Sequence, residues 1–207
     1  MIQKFVRWGT LTAVAAATVF TTAANADFAA KGDPKPAVIL FGPTNDGGWS
    51  QAIDEARARL ESEFGLSIPQ AAEIPESATA IRPAAELFIE RGANIILGSA
   101  FGYSDTFKEL AAENPEIVFL NPAGTTNGDN LKSFYGRTYE TQYLCGMVAG
   151  GISKTGKLGF VAANPFGLVN WTVNAYLLGA RQVNPDAELT VVFTGAWADP
   201  VKERAAA

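Results

Sequence analysis

One stretch constrains this chain more than any other, Pro36-Ala37-Val38-Ile39-Leu40-Phe41-Gly42-Pro43-Thr44-Asn45-Asp46-Gly47-Gly48-Trp49-Ser50. Val38 to Phe41 is a short continuous apolar run bounded by proline and glycine, the pattern of a strand buried on both faces. A polar, glycine-rich turn follows. From Ser50 to Phe64, Ile53, Ala56, Leu60 and Phe64 share one helical stripe with charges elsewhere. Strand, tight turn and helix open a parallel α/β sheet, and such sheets take ligands beyond the carboxyl ends of their strands. Asn45, Asp46 and Trp49 occupy that place.

The same alternation continues. Helices are predicted at about 79–91, 105–114, 139–152 and 168–183, and strands near 68, at 93–100, 117–121, 133–135, 157–162 and 189–194. Pro83 is tolerable in a first helical turn, Ser104 is placed to cap the helix after it, and Leu144, Met147 and Val148 are expected to be buried. The pattern restarts after Ser153-Lys154-Thr155-Gly156. Two strands and one complete helix do not make an independent sheet domain. The expected organisation is therefore a leader over 1–26, an N-terminal α/β lobe over 27–153, and the start of a second, incomplete lobe over 154–207.

Charge and composition exclude several functions. The chain is acidic, with a net charge of −5, and carries no basic cluster, which argues against nucleic acid as a partner. It has no histidine and a single cysteine, Cys145, so imidazole triads, cysteine metal clusters and an internal disulfide are ruled out. Cys145, beside Leu144 and Met147, reads as a small buried residue. Lys4 and Arg7 followed by an Ala/Thr-rich apolar run and Ala24-Asn25-Ala26 read as a secretory signal. The run is short for a membrane span, so an exported, soluble, periplasmic protein is expected.

An aromatic residue and a carboxylate or amide recur at the strand-to-helix turns: Asp46 and Trp49; Phe101, Tyr103 and Asp105; Asn164 and Trp171; Trp197 and Asp199. Aromatic faces stack on flat heteroaromatic ligands, and carboxylates and amides bind ring N–H groups or sugar hydroxyls. Each residue has a plainer alternative. Asp46 and Asp105 can serve the helix dipole or a cap, Phe101 and Tyr103 can be rim packing, and Trp171 can be core. Trp49 after two glycines and Trp197 between two alanines are harder to place in a core. Asn45-Asp46-Gly47-Gly48 matches neither a phosphate loop nor a dinucleotide fingerprint. No nucleophile–base pair is available for catalysis, and no metal or cofactor is called for.

The chain resembles the basic membrane protein family of ABC-importer substrate-binding proteins, which includes purine nucleoside receptors. The resemblance rests on Val38–Gly42 with Asn45–Gln51, on Gly98–Asp105, Cys145–Gly150, Lys157–Val161, Asn174–Arg181 and Trp197–Pro200, in this order and spacing. It implies a type I periplasmic-binding-protein fold: two Rossmann-like lobes with parallel, helix-flanked sheets that close on ligand. It also implies a purine base or nucleoside held between aromatics, here Trp49 and Trp197, with Asp46 as a ligand contact. The implied partner is an ABC permease in the inner membrane, served by a monomer. Gly47, Gly48 and Trp49 stand where many members have lysine and phenylalanine, and the lipidated cysteine of many members is absent near Ala26. A periplasmic nucleoside-hydrolysing enzyme using Asp46 or Asp105 as base, or a sensor presenting the same pocket to a receptor, are the alternatives.

Overall fold

The computed structural model describes residues 30–207; the leader expected over 1–26 lies outside them. Five strands form one parallel sheet: β1 (Pro36–Ile39), β2 (Gln70–Ala71), β3 (Ile95–Gly98), β4 (Val118–Pro122) and β5 (Leu131–Phe134), in the order β2-β1-β3-β4-β5. Register aligns Val38 with Leu97 and Leu97 with Leu120, so apolar positions meet across the sheet. Period-two alternation sends Val38 and Leu40 to one face, where Ile53 of α1 (Trp49–Phe64) covers them, and Ile39, Ile96 and Phe119 to the other. That second face is filled by Ile81, Ala85 and Phe88 of α2 (Ala78–Glu90) and by Phe107 and Leu110 of α3 (Ser104–Glu113).

Several local expectations change. Only the first part of the α1 stripe meets the sheet, and Leu60 and Phe64 are exposed. Pro83 lies in the second turn of α2; its missing N–H leaves the Thr79 carbonyl free on an exposed side of the helix, where water can reach it. Ser104 is the first residue of α3 and caps nothing. Its hydroxyl donates to the Phe101 carbonyl (2.8 Å) and accepts from the Thr125 N–H (2.9 Å), which ties the loop after β4 to the turn after β3.

The remaining elements are α4 (Thr138–Ile152), β6 (Lys157–Ala162), α5 (Gly167–Val183), β7 (Glu188–Phe193) and α6 (Pro200–Ala206), with β6 and β7 paired in a separate parallel sheet. α4 packs lengthwise on α5. The division expected at residue 153 thus falls after a helix that packs with the second half of the chain. Of the residues expected to be buried on α4, Met147 is half-buried. Leu144 and Val148 are 61 and 63 % exposed, and Cys145 is exposed too. The buried positions are Gly146 and Gly150, set against the backbone of Tyr176 and Ala180 of α5, while Gly179 of α5 meets the backbone of Tyr143 and Met147. Small residues let the two backbones approach until little room is left for bulky side chains between them. Among the described residues no helix is long and apolar enough to cross a membrane.

Candidate functional site

In the order β2-β1-β3-β4-β5 the chain reverses direction of growth between β1 and β3, and the crevice beyond their carboxyl ends is where a doubly wound sheet accepts ligand. The loops after β1 and β3 meet there. The Trp49 indole N–H donates to the Ser99 carbonyl at 2.6 Å, and the ring leans on Tyr135 with centroids 5.9 Å apart. A cleft of about 810 Å³ opens at this point, a size within the range of small-molecule sites. Its first side carries Trp49, Phe101 and Tyr135; Leu168, Trp197 and Glu203 line it from the second half of the chain.

Phe101 stacks on Phe166 at 4.6 Å and 10°, and Trp197 leans on both, at 6.3 Å from Phe101 and 5.9 Å from Phe166. Trp49 and Trp197 therefore each rest on other rings rather than on one another. Carboxylates come from Asp46, Glu73, Glu76 and Glu203, and no lysine or arginine is among the described lining residues. Glu73 and Ala123, both on the lining, hold positive φ (59° and 66°). That conformation costs a residue with a Cβ about 1–3 kcal/mol and gathers where surrounding structure enforces it.

Asp46 faces the cleft but is already engaged. Its carboxylate accepts the backbone N–H groups of Gly48 (2.8 Å), Ser50 (2.9 Å) and Gln51 (3.0 Å), closing the N-terminus of α1. Burial pushes its carboxyl up, but the bonds from Gln51, Gly48 and Ser50 outweigh this and hold it below the ordinary carboxylate range. Its stabilising effect is thus whole above that ordinary range and is lost as pH falls through its own lowered value. Asp46→Ala is expected to destabilise the fold by about 1 kcal/mol at neutral pH, whereas Asp46→Asn retains most of the cap. Denaturant unfolding at pH 7 and again in acid, where the Ala deficit should shrink as the carboxyl loses its charge, checks this.

Other expected site residues lie elsewhere. Tyr103 is fully buried in the core and donates its hydroxyl to the Ile74 carbonyl at 2.6 Å; burial and the Glu76 charge push its phenol up. Its ring is packing: Tyr103 ends the 3₁₀ turn Phe101–Tyr103 and lies in the core with its ring centroid 5.8 Å from that of Phe107. Asp105 is exposed in the first turn of α3, where it serves the dipole. Asn45 and Trp171 are exposed and, like Asn164, are not among the cleft lining. Asp199 caps α6, accepting from Val201 and Lys202, and Lys202 holds it below its ordinary range. Its neighbours Ala198 and Pro200 reach the cleft instead.

Comparison with known proteins gives this geometry its setting. The family model described as ABC transporter substrate-binding protein PnrA-like matches residues 34–207. The chain belongs to this family. A purine-binding protein of Brucella abortus is 32 % identical over 175 residues, spanning 84 % of this chain and 50 % of that protein. A Haloferax volcanii protein named for glucose binding in an ABC transporter is 32 % identical over 169 residues, 82 % of this chain and 43 % of its own length. A solved ABC transporter solute-binding protein of Conexibacter woesei superposes with a TM-score of 0.64 at 25 % identity, over 84 % of this chain and 59 % of that one. The chain spans about half the length of the curated relatives it matches. The α/β fold with its parallel, helix-flanked sheet is that of the periplasmic-binding-protein architecture, and these relatives are substrate-binding proteins rather than enzymes.

Proposed function

We propose that this chain contributes the first lobe, and part of the second, to a periplasmic solute-binding protein that captures a purine base or nucleoside for an ABC permease in the inner membrane. The export signal is residues 1–26, and the protein is a freely soluble monomer. The lobes divide at the crossover between β5 and α4, because α4 packs with α5. The observation that carries the ligand class is the cleft lining. Rings from both halves, Trp49, Phe101 and Trp197, border one cavity together with carboxylates and no cation among its described lining. Flat rings hold a heteroaromatic base by its faces, and carboxylates accept from its N–H groups and from ribose hydroxyls. The Brucella relative's name, purine-binding, points the same way.

A second reading is a sugar ligand, favoured by the name of the Haloferax relative. Aromatic platforms flanked by acids serve pyranoses as well. Titration of the intact protein with adenosine, guanosine, adenine and glucose, followed by tryptophan fluorescence and calorimetry, separates the two. Saturable binding of a purine with no response to glucose is expected. Saturable glucose binding with no purine response would replace the first reading by the second.

A further inference from the structure

We propose that Glu76 is a latch that joins the two sides of the cleft and fixes the pose of Trp197. This rests on the cleft being the ligand site. Glu76 lies in the loop between β2 and α2 and uses both carboxylate oxygens. Oε1 accepts the Gly102 backbone N–H at 2.6 Å, within the first sheet unit. Oε2 accepts the Trp197 indole N–H at 3.0 Å, from the turn after β7. Among the described residues this is the one hydrogen bond joining residues 30–135 to 154–207. The Glu76 side chain lies flat on Gly102, where a Cβ would press against its Cβ and Cδ. That close approach aims the second oxygen outward.

The neighbouring rings make the same crossing. Phe101, next to Gly102, stacks on Phe166, and Trp197 leans on both. One carboxylate and three rings thus form the non-covalent seam between the units, whereas Tyr135, against Trp49, lies in the segment that connects them covalently. Two units joined by a covalent crossover and a separate seam swing about the first and part at the second. A carboxylate bonded to both sides of that seam raises the share of molecules with the cleft assembled, and apparent affinity scales with that share. Glu76 is accordingly a positioning residue, acting on ligand through Trp197.

The test uses the intact protein labelled with ¹⁵N. The Trp197 indole N–H resonance is assigned by its loss in Trp197→Phe. Without ligand, Glu76→Ala is expected to shift that resonance to a solvent-like position while the Trp49 indole resonance stays in place. Glu76→Gln, which keeps one acceptor oxygen of two, should give an intermediate shift. In titrations with adenosine, Glu76→Ala should weaken binding about tenfold. In the Trp197→Phe background the same substitution should change affinity less than about twofold, because the shared bond is already gone. A Trp197 resonance unmoved in both Glu76 variants, or full additivity of the two substitutions, overturns the proposal. Should Glu76→Ala fail to fold, Glu76→Gln decides alone. Should the unsubstituted protein ignore adenosine, the purine reading fails, and the ligand-free indole shift still decides the latch.

Discussion

Gly146→Ala is expected to destabilise the α4–α5 pair by about 3 kcal/mol, although alanine is the better helix former. Two effects oppose each other. Replacing a helical glycine by alanine gains about 1 kcal/mol in propensity. Against that, a Cβ on Gly146 would overlap the Tyr176 carbonyl oxygen, and one on Gly179 would overlap the Tyr143 carbonyl oxygen. The clash is reciprocal, each glycine three residues beyond the tyrosine whose carbonyl faces the other helix. Both obstacles are backbone, so no side chain can turn away; the helices must separate along their whole contact. Overpacking of this kind costs about 1–3 kcal/mol where the core can yield, and more where it cannot. Gly151, on the same helix with nothing within 4 Å of its would-be Cβ, is the control. Gly151→Ala should be neutral or stabilising by about 0.5 kcal/mol. Urea unfolding of the intact protein by circular dichroism reads both. Equal midpoints for the two variants would show that α4 and α5 do not touch through these glycines.

That contact also marks where the sequence stops being readable. The first sheet is legible because its strands are continuous apolar runs, Val38 to Phe41 and Ile95 to Leu97, bounded by turn residues, and because burial on two faces admits few alternatives. In α4 the same reasoning fails. Leu144, Met147 and Val148 carry the apolar signal, yet the closest packing is made by glycines, which have no side chain to mark a face. Hydrophobic periodicity reports where bulk is buried; it does not report where backbones touch.

The cleft divides along a similar line. Asp46, Trp49, Phe101 and Trp197 line it because strand-end position and residue type coincide. Tyr103 and Asp199 satisfy the same rule, but one turns inward and the other caps a helix. Tyr135, which lines the cleft after β5, and Phe166, which follows β6 and stacks on the lining residue Phe101, are both within reach of the rule that locates Trp49. Glu73 and Glu76 were not. They sit after a two-residue edge strand with no periodicity of its own, and what brings them to the cleft is the pairing of β2 on β1.

Trp49→Ala is expected to weaken purine binding about 100-fold while leaving the fold nearly unchanged. Trp49 is 40 % exposed, so its removal empties little of the core. Its ring is nevertheless held: the indole N–H is spent on the Ser99 carbonyl at 2.6 Å, and Tyr135 supports it from beside. A platform fixed before the ligand arrives loses little entropy on binding, and a base stacked on an aromatic ring is worth about 1–3 kcal/mol. Trp49→Phe restores a ring but not the tether to Ser99, and should recover about tenfold of the lost affinity. Trp197→Ala is the less discriminating variant, because it also removes the bond to Glu76 and the contacts to Phe101 and Phe166. Trp49 separates stacking from lobe closure. Calorimetric titration with adenosine measures both Trp49 variants, with a thermal melt confirming an intact fold. Affinity within twofold of the unsubstituted protein in Trp49→Ala would remove this ring from the ligand's contacts, and with it the case for a flat base as what the cleft holds.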